Sequence, residues 1–335
     1  MKAIALISGG LDSILAARII KEQGIDVLPL NFKIPFFHRK KHPSQENALI
    51  SFVQINLGQD LKTVDISADF LELILSPKHG FGSNMNPCID CKIFMLKKAR
   101  GLMEPWGAQF VVTGEVLGQR PMSQHRRALE MIGKESGLEG LLLRPLCAGG
   151  LAETIPEKLG WLKRSALFKF SGRTRRPQMA LARKLNIENY PNAAGGCLLT
   201  DAQFSHRLRD LISHQGLSVE NIGLLKIGRH FRLAKNTKLI VGRDEGENKE
   251  LESAASSGDY LFMPNEDLAG PSCLGRGEFN EELIKISSQI TCRYCDLSGS
   301  SRAKIIYFKV GQVRPEKLSL EVSSASEEKL KALRL

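Results

Sequence analysis

The sequence predicts an α/β fold: a doubly wound parallel sheet that carries the chemistry, joined to a second, smaller α+β domain. Three observations predict it. Short apolar strands alternate with helix-length amphipathic segments from Lys2 to Leu146. Glycine closes several of those strands at the carboxyl end, where open α/β sheets bind ligands. After residue 200 the alternation gives way to a strand running into a helix and a Gly/Pro-punctuated stretch. A chain of 335 residues is long enough for two domains of ordinary size.

The elements follow in order. Residues 2–7 (KAIALI) form a buried strand ending in SGG, and LDSILAARIIKEQG continues as a helix stopped by Gly24. IDVLPLNF (25–32) is a second strand, followed by a polar, basic segment over 33–43. A helix spans 44–57 with Ser44 as its N-cap, and LKTVDIS (61–67) is a third strand. Residues 88–105 read as helix, while AQFVVTG (108–114) and GLLLRPL (140–146) read as strands. Two further segments, one rich in Arg and Lys over 163–184, lead to a loop at 191–196. The expected division is a nucleotide-type domain over 1–205, a linker over 206–234, a small α+β domain over 235–325, and a frayed Ser/Glu/Lys-rich tail over 326–335.

Composition narrows the function classes. Hydrophobic residues make up 42% and charged residues 25%, which excludes disorder as the main state. No run of 18 apolar residues exists, so no membrane-spanning helix and no membrane partner are expected. MKAIALISGG lacks the pattern of a secretory leader, and seven cysteines is an odd count for a disulfide framework. Reduced thiols and a cytoplasmic location are the expectation. Net charge is +11, and residues 120–184 hold 14 basic side chains against 5 acidic ones. Such a run is either a solvated face or a footprint for a polyanion backbone, which releases counterions when bound. Aromatic content of 6% argues against base stacking as the main binding mode.

Two constellations carry chemistry. SGGLDS (8–13) lies between a strand and a helix. Gly9 and Gly10 let backbone amides approach an anion, and the helix start adds its positive dipole end. Ser8 and Ser13 can donate to phosphate oxygens, and Asp12 can hold a magnesium ion. An ordinary strand-to-helix turn has the same composition. The second constellation is Cys88 and Cys91 in NPCIDCK with Cys197 in AAGGCLLTD. Three thiolates can ligate a soft metal. Cys147 or His79 would complete a four-ligand zinc site, a [4Fe-4S] cluster would keep one iron open, and a persulfide route would need no metal. A second CxxC, Cys292 and Cys295, lacks a partner pair and reads as packing.

SGGLDS resembles the PP-loop of the ATP pyrophosphatase family at every fixed position of SGGxDS. NPCIDCK resembles the cysteine segment of tRNA 2-thiouridylases, and FVVTGEVLGQRPMSQ (110–124) with RPL (144–146) resembles the tRNA 4-thiouridine synthases. VGRDEGEN (241–248) with DLAGPSCL (267–274) resembles the NFACT RNA-binding domain. The resemblance implies a PP-loop fold of the adenine nucleotide alpha hydrolase type. It implies ATP and Mg2+ at Ser8, Gly9, Gly10, Asp12 and Ser13, with Thr113 and Gly114 beside the nucleotide and Asn31 and Phe32 against adenine. It implies tRNA thiolation: a uridine oxygen is adenylated, then sulfur from a donor displaces AMP at Cys88, Cys91 and Cys197, with a [4Fe-4S] cluster as the cofactor they hold. Glu115 is read as either a magnesium ligand or an exposed cap. Gln119 and Arg120 are read as touching the transferred groups or RNA. Arg173, Arg175 and Arg176 are the expected tRNA contacts, and Lys33, Arg39, Lys40 and Lys41 either brace tRNA or form a solvated loop. A homodimer stays open. The competing classes are a PP-loop ligase for a small molecule and a non-catalytic RNA-binding protein.

Overall fold

The computed structural model describes residues 1–37, 44–190, 196–297, 299, 301–311 and 316–335, with residues 44–46 described for their backbone alone. Arg39, Lys40, Lys41 and most of the 191–196 loop therefore lie outside the described residues. The chain divides into two compact units, Met1–Thr200 and Asp201–Leu335.

The first unit runs β1 (Lys2–Leu6), α1 (Leu11–Lys21), β2 (Asp26–Lys33), α2 (Ser44–Leu57), β3 (Lys62–Asp65), α3 (Ser67–Leu75), α4 (Cys88–Gly101), β4 (Phe110–Val112), α5 (Arg126–Glu135), β5 (Leu142–Leu143), α6 (Ile155–Lys158) and α7 (Arg176–Lys184). Its five strands are parallel in the order β3-β2-β1-β4-β5. The order reverses beside β1: the chain steps outward to β2 and β3, then returns to place β4 on the other side. Ligands bind at such a switch point. SGGLDS lies at the carboxyl end of β1, and Thr113-Gly114-Glu115 at the carboxyl end of β4, so both motifs face the same crevice.

Burial explains the apolar runs. β1 and β4 place Ala3, Ala5, Phe110 and Val112 in a core shared with Ile14, Leu15 and Ile19 of α1, Phe52 and Val53 of α2, and Leu181 and Ala182 of α7. A strand flanked on both sides by neighbours and covered by helices loses the polar half of its pattern. The strand expected over 140–146 shortens to two residues, because only Leu142 and Leu143 pair with β4.

The second unit contains α8 (Ala202–His214), α9 (Val219–Leu224), β6 (Arg229–Ala234), β7 (Thr237–Val241), α10 (Glu245–Ser253), β8 (Tyr260–Pro264), β9 (Cys273–Arg276), α11 (Glu281–Arg293), β10 (Arg302–Lys309), β11 (Leu318–Ser323) and α12 (Glu327–Leu333). Its six strands form an antiparallel sheet in the order β11-β10-β8-β9-β7-β6. The structure differs from the sequence reading at both ends of this unit. Residues 206–234 hold α8, α9 and the edge strand β6, whose Phe231 is fully buried, rather than a linker. Residues 326–335 are α12 and a docked terminus. Ser326 caps the helix by accepting from the Lys329 amide, Leu330 is buried, and the Leu335 amide donates to the His230 carbonyl. Leu330 and Leu333, three apart on one helical face, supply the apolar stripe that a Ser/Glu/Lys composition concealed.

Candidate functional site

The turn after β1 is built for an anion. Gly9 sits at φ 78°, a left-handed conformation that glycine adopts without a Cβ penalty. The Ser13 hydroxyl donates to the Gly10 carbonyl at 2.7 Å and accepts from the Ser8 amide at 3.3 Å, which folds the loop over the start of α1. The Asn31 side-chain amide donates to the Ile7 carbonyl at 2.6 Å and fixes the exit of β1. Phe32 is buried within β2.

Gly114 meets this loop from β4. A Cβ built on Gly114 would lie 2.5 Å from the Ser13 amide nitrogen and closer still to the Asp12 carbonyl group. Only glycine lets the two turns touch. Gly114→Ala should therefore push the turns apart, weakening anion binding at the loop by about tenfold and lowering stability by about 1–3 kcal/mol; calorimetric titration with a nucleotide and thermal melts check both, and unchanged affinity would show that this approach is not needed.

Asp12 stands at the centre of the crevice. Its Oδ2 accepts from Gln119 Nε2 at 3.0 Å, and Arg175 Nη2 lies 3.9 Å from Oδ1. Oδ1 is shielded from solvent and accepts no hydrogen bond among the described residues. A hard cation would satisfy such an oxygen, so Asp12 fits the magnesium expected there. Thr113 is buried, its hydroxyl donating to Glu115 at 3.1 Å.

Glu115 is not an exposed cap, and its Oε1 is shielded from solvent and accepts no hydrogen bond among the described residues. The residue is buried, accepts from Arg144 Nε at 3.0 Å through its other oxygen and has Lys92 Nζ 3.8 Å away. Burial alone would raise its carboxyl, but the charges of Arg144 and Lys92 and the hydrogen bonds from Arg144 and Thr113 outweigh it and hold Glu115 below the usual carboxylate range. Arg144, from RPL, also donates to the Leu129 carbonyl at 3.0 Å, tying β5 to α5.

Cys88, Cys91 and Cys197 lie within electrostatic range of one another. Cys88 and Cys91 occupy the first turn of α4. Cys197 reaches them because its strand-like segment pairs with Phe37, its neighbour Leu198 donates to the Phe36 carbonyl, and Met85 donates to the Leu199 carbonyl at 3.1 Å. The thiols feel one another. Burial pushes Cys91 far above the ordinary thiol range, and charge on Cys88 or Cys197 would push it further, against Lys92 and Arg120. Burial raises Cys197 to about 11, with the Leu199 amide and Arg120 pulling down and Cys88 pushing up. Cys88 donates to the Ser123 hydroxyl at 3.0 Å.

The donor chemistry suits a soft metal group, whose charge would stabilise thiolates that burial disfavours. The arrangement is not preformed: among the described residues no three His, Cys, Asp or Glu side chains stand as a ligand set. Neither expected fourth ligand joins the trio. Cys147 is fully buried and donates to the Glu115 carbonyl at 3.3 Å, and His79 lies 3.2 Å from Glu135.

One segment links the two halves of the site. Gln119 holds Asp12, the Arg120 charge acts on Cys91 and Cys197, and Ser123 accepts from Cys88. Sequence reasoning named Gln119 and Arg120 without a partner and missed Ser123 and Arg144, whose side-chain partners Cys88 and Glu115 lie 35 and 29 residues away. Arg173 and Arg176 are exposed, whereas Arg175 turns inward to Asp12. In the second unit, Cys292 and Cys295 donate to the Val322 and Thr291 carbonyls, and burial raises Cys295 to about 12, as expected of packing thiols. A surface recess of about 450 Å³ lined by Lys97, Arg100, Lys134 and Glu135 contains none of the site residues. No helix among the described residues is long and apolar enough to cross a membrane.

Comparison with known proteins agrees with this division. Residues 1–155 match the family model described as thiamine biosynthesis protein (ThiI), and residues 228–334 match that of the NFACT protein RNA binding domain. A protein of Thermococcus kodakarensis named "Probable tRNA sulfurtransferase" is 27% identical over 168 residues, covering 50% of this chain and 42% of that protein. The tRNA-specific 2-thiouridylase MnmA of Petrotoga mobilis is 34% identical over 133 residues, 35% of each chain. A solved 4-thiouridine synthetase in complex with RNA and ATP aligns over 58% of this chain and 44% of that one at 20% identity, with a TM-score of 0.36, too loose to argue from. The chain spans less than half the length of these curated relatives. The amino-terminal half is thus similar to the ThiI family and to tRNA sulfurtransferases, and the carboxyl-terminal third to the NFACT RNA-binding domain.

Proposed function

We propose that this protein is a tRNA sulfurtransferase that uses ATP to exchange a uridine oxygen for sulfur. The observation that carries the reading is the 119–123 segment, which couples Asp12 of the phosphate loop to the thiol trio. An adenylating loop joined directly to three cysteines is what oxygen-to-sulfur exchange needs; a small-molecule ligase has no use for the second half, and an RNA-binding protein none for either.

The chemistry runs in two displacements. The uridine carbonyl oxygen attacks the α phosphorus of ATP, the bond to the bridging oxygen breaks, and pyrophosphate leaves. Amides of the Gly9–Gly10 turn and the dipole end of α1 would bind the phosphates, and Asp12 would hold the magnesium that neutralises them. Hydrosulfide then attacks the adenylated carbon, and AMP departs with the oxygen; with a persulfide donor the terminal sulfur attacks, and a second thiol then cleaves the S–S bond, leaving a disulfide. Ser13 and Asn31 shape the loop, while Gly114 keeps the crevice narrow. Cys88, Cys91 and Cys197 would hold a [4Fe-4S] cluster, which when bound supplies an open iron able to present sulfide to the base.

The RNA would lie along the basic stretch. Arg173→Ala with Arg176→Ala should weaken tRNA binding and reduce its salt dependence by roughly one to two counterions; filter binding across a salt series checks this, and an unaltered slope assigns both side chains to a solvated surface. The function itself is tested by product analysis. Unmodified tRNA should stimulate the release of AMP and pyrophosphate in equal amounts; release of ADP, or no response to tRNA, would refute the reading.

A further inference from the structure

The arginines of GRTRRPQ form one basic run in the sequence, but the fold separates them. Arg173 and Arg176 are exposed, while the Arg175 side chain is 33% exposed and brings Nη2 to 3.9 Å from Asp12 Oδ1. The approach is anchored on both sides. Before it, Ser171 pairs with Leu117, and the Gly172 amide donates to the Leu117 carbonyl at 2.8 Å. Gly118 sits so near that a Cβ there would lie 3.3 Å from the Gly172 nitrogen. After it, α7 packs against α1 through Leu181 and Ala182. Residue 175 is therefore held between the segment that carries Gln119 and the helix that carries Asp12.

We propose that Arg175 is a phosphate-binding residue of the nucleotide site, gripping the β and γ phosphates of ATP, and is not part of the RNA surface. The inference rests on the ATP-dependent reading above. The Asp12 carboxylate faces the guanidinium at 3.9 Å. With Asp12 holding magnesium, the guanidinium would be placed to turn towards phosphate oxygens bound at the same loop. Its planar fork matches two phosphate oxygens at once, which the point charge of a lysine does not. The same group would then neutralise charge gathering on pyrophosphate as it leaves.

The test is binding of a non-hydrolysable ATP analogue, with magnesium and without tRNA, by calorimetry. Arg175→Ala should weaken the analogue at least tenfold and Arg175→Lys by less, while AMP, which lacks the β and γ phosphates, binds both variants as it binds the wild type. RNA affinity and its salt slope should stay within twofold of wild type. Arg173→Ala with Arg176→Ala should show the reverse pattern. Wild-type affinity for the analogue in Arg175→Ala, or equal losses for the analogue and AMP, would overturn the proposal. A wild-type protein that binds no ATP would instead refute the nucleotide reading itself.

Discussion

Asp12→Ala should reduce tRNA-dependent pyrophosphate release by at least about 100-fold while the protein stays folded. The two halves of that expectation have different sizes. Asp12 Oδ1 accepts no hydrogen bond among the described residues, so its removal takes away the proposed magnesium ligand and leaves the β and γ phosphates facing one another's charge. On the stability side, the variant loses the Gln119 hydrogen bond, a 3.9 Å pairing with Arg175, and an acidic group in the first turn of α1. A first-turn acid contributes roughly 0.3–1 kcal/mol through the helix dipole, and the hydrogen bond a similar amount. A melting temperature within a few degrees of wild type, together with lost turnover, is the expected pair. Retained turnover by a well-folded variant would remove Asp12 from the chemistry.

Serine at Cys88, Cys91 or Cys197 should each stop thiolation while leaving a single turnover of tRNA-dependent pyrophosphate release. The phosphate loop and the thiols are separate groups joined by the 119–123 segment, so the first displacement does not require the second. Burial raises Cys91 and Cys197, which makes either a poor free nucleophile near neutral pH. A bound cation reverses that disadvantage, and anaerobic reconstitution should yield iron and sulfide in the wild type and little of either in the serine variants. Full activity without iron, with one cysteine trapped as a persulfide by alkylation, would replace the cluster with a covalent carrier. Serine at Cys292 or Cys295 should change neither iron content nor thiolation, because both sulfurs are spent on carbonyl groups of the second unit.

The phosphate loop and its strand were legible because their determinants are local: a buried strand, a left-handed glycine, two hydroxyls and an acid within six residues. The parallel sheet was legible from alternation, and its switch point from the positions of SGG and TGE. What stayed hidden depends on partners distant in sequence. Glu115 reads as either a magnesium ligand or an exposed cap until Arg144 and Lys92 are seen beside the buried carboxylate. Arg175 reads as one of three equal arginines until the Leu117–Ser171 pairing turns it inward. Composition misled at 206–234 and 326–335, where polar residues outnumber the few side chains that decide burial, Phe231 and Leu330 among them.

The central claim is that this chain places sulfur on tRNA, and mass spectrometry of tRNA nucleosides from a deletion strain tests it most directly. One thiolated pyrimidine should disappear, return with the wild-type gene, and not return with Asp12→Ala or Cys197→Ser. A complete set of thionucleosides in the deletion strain would contradict it.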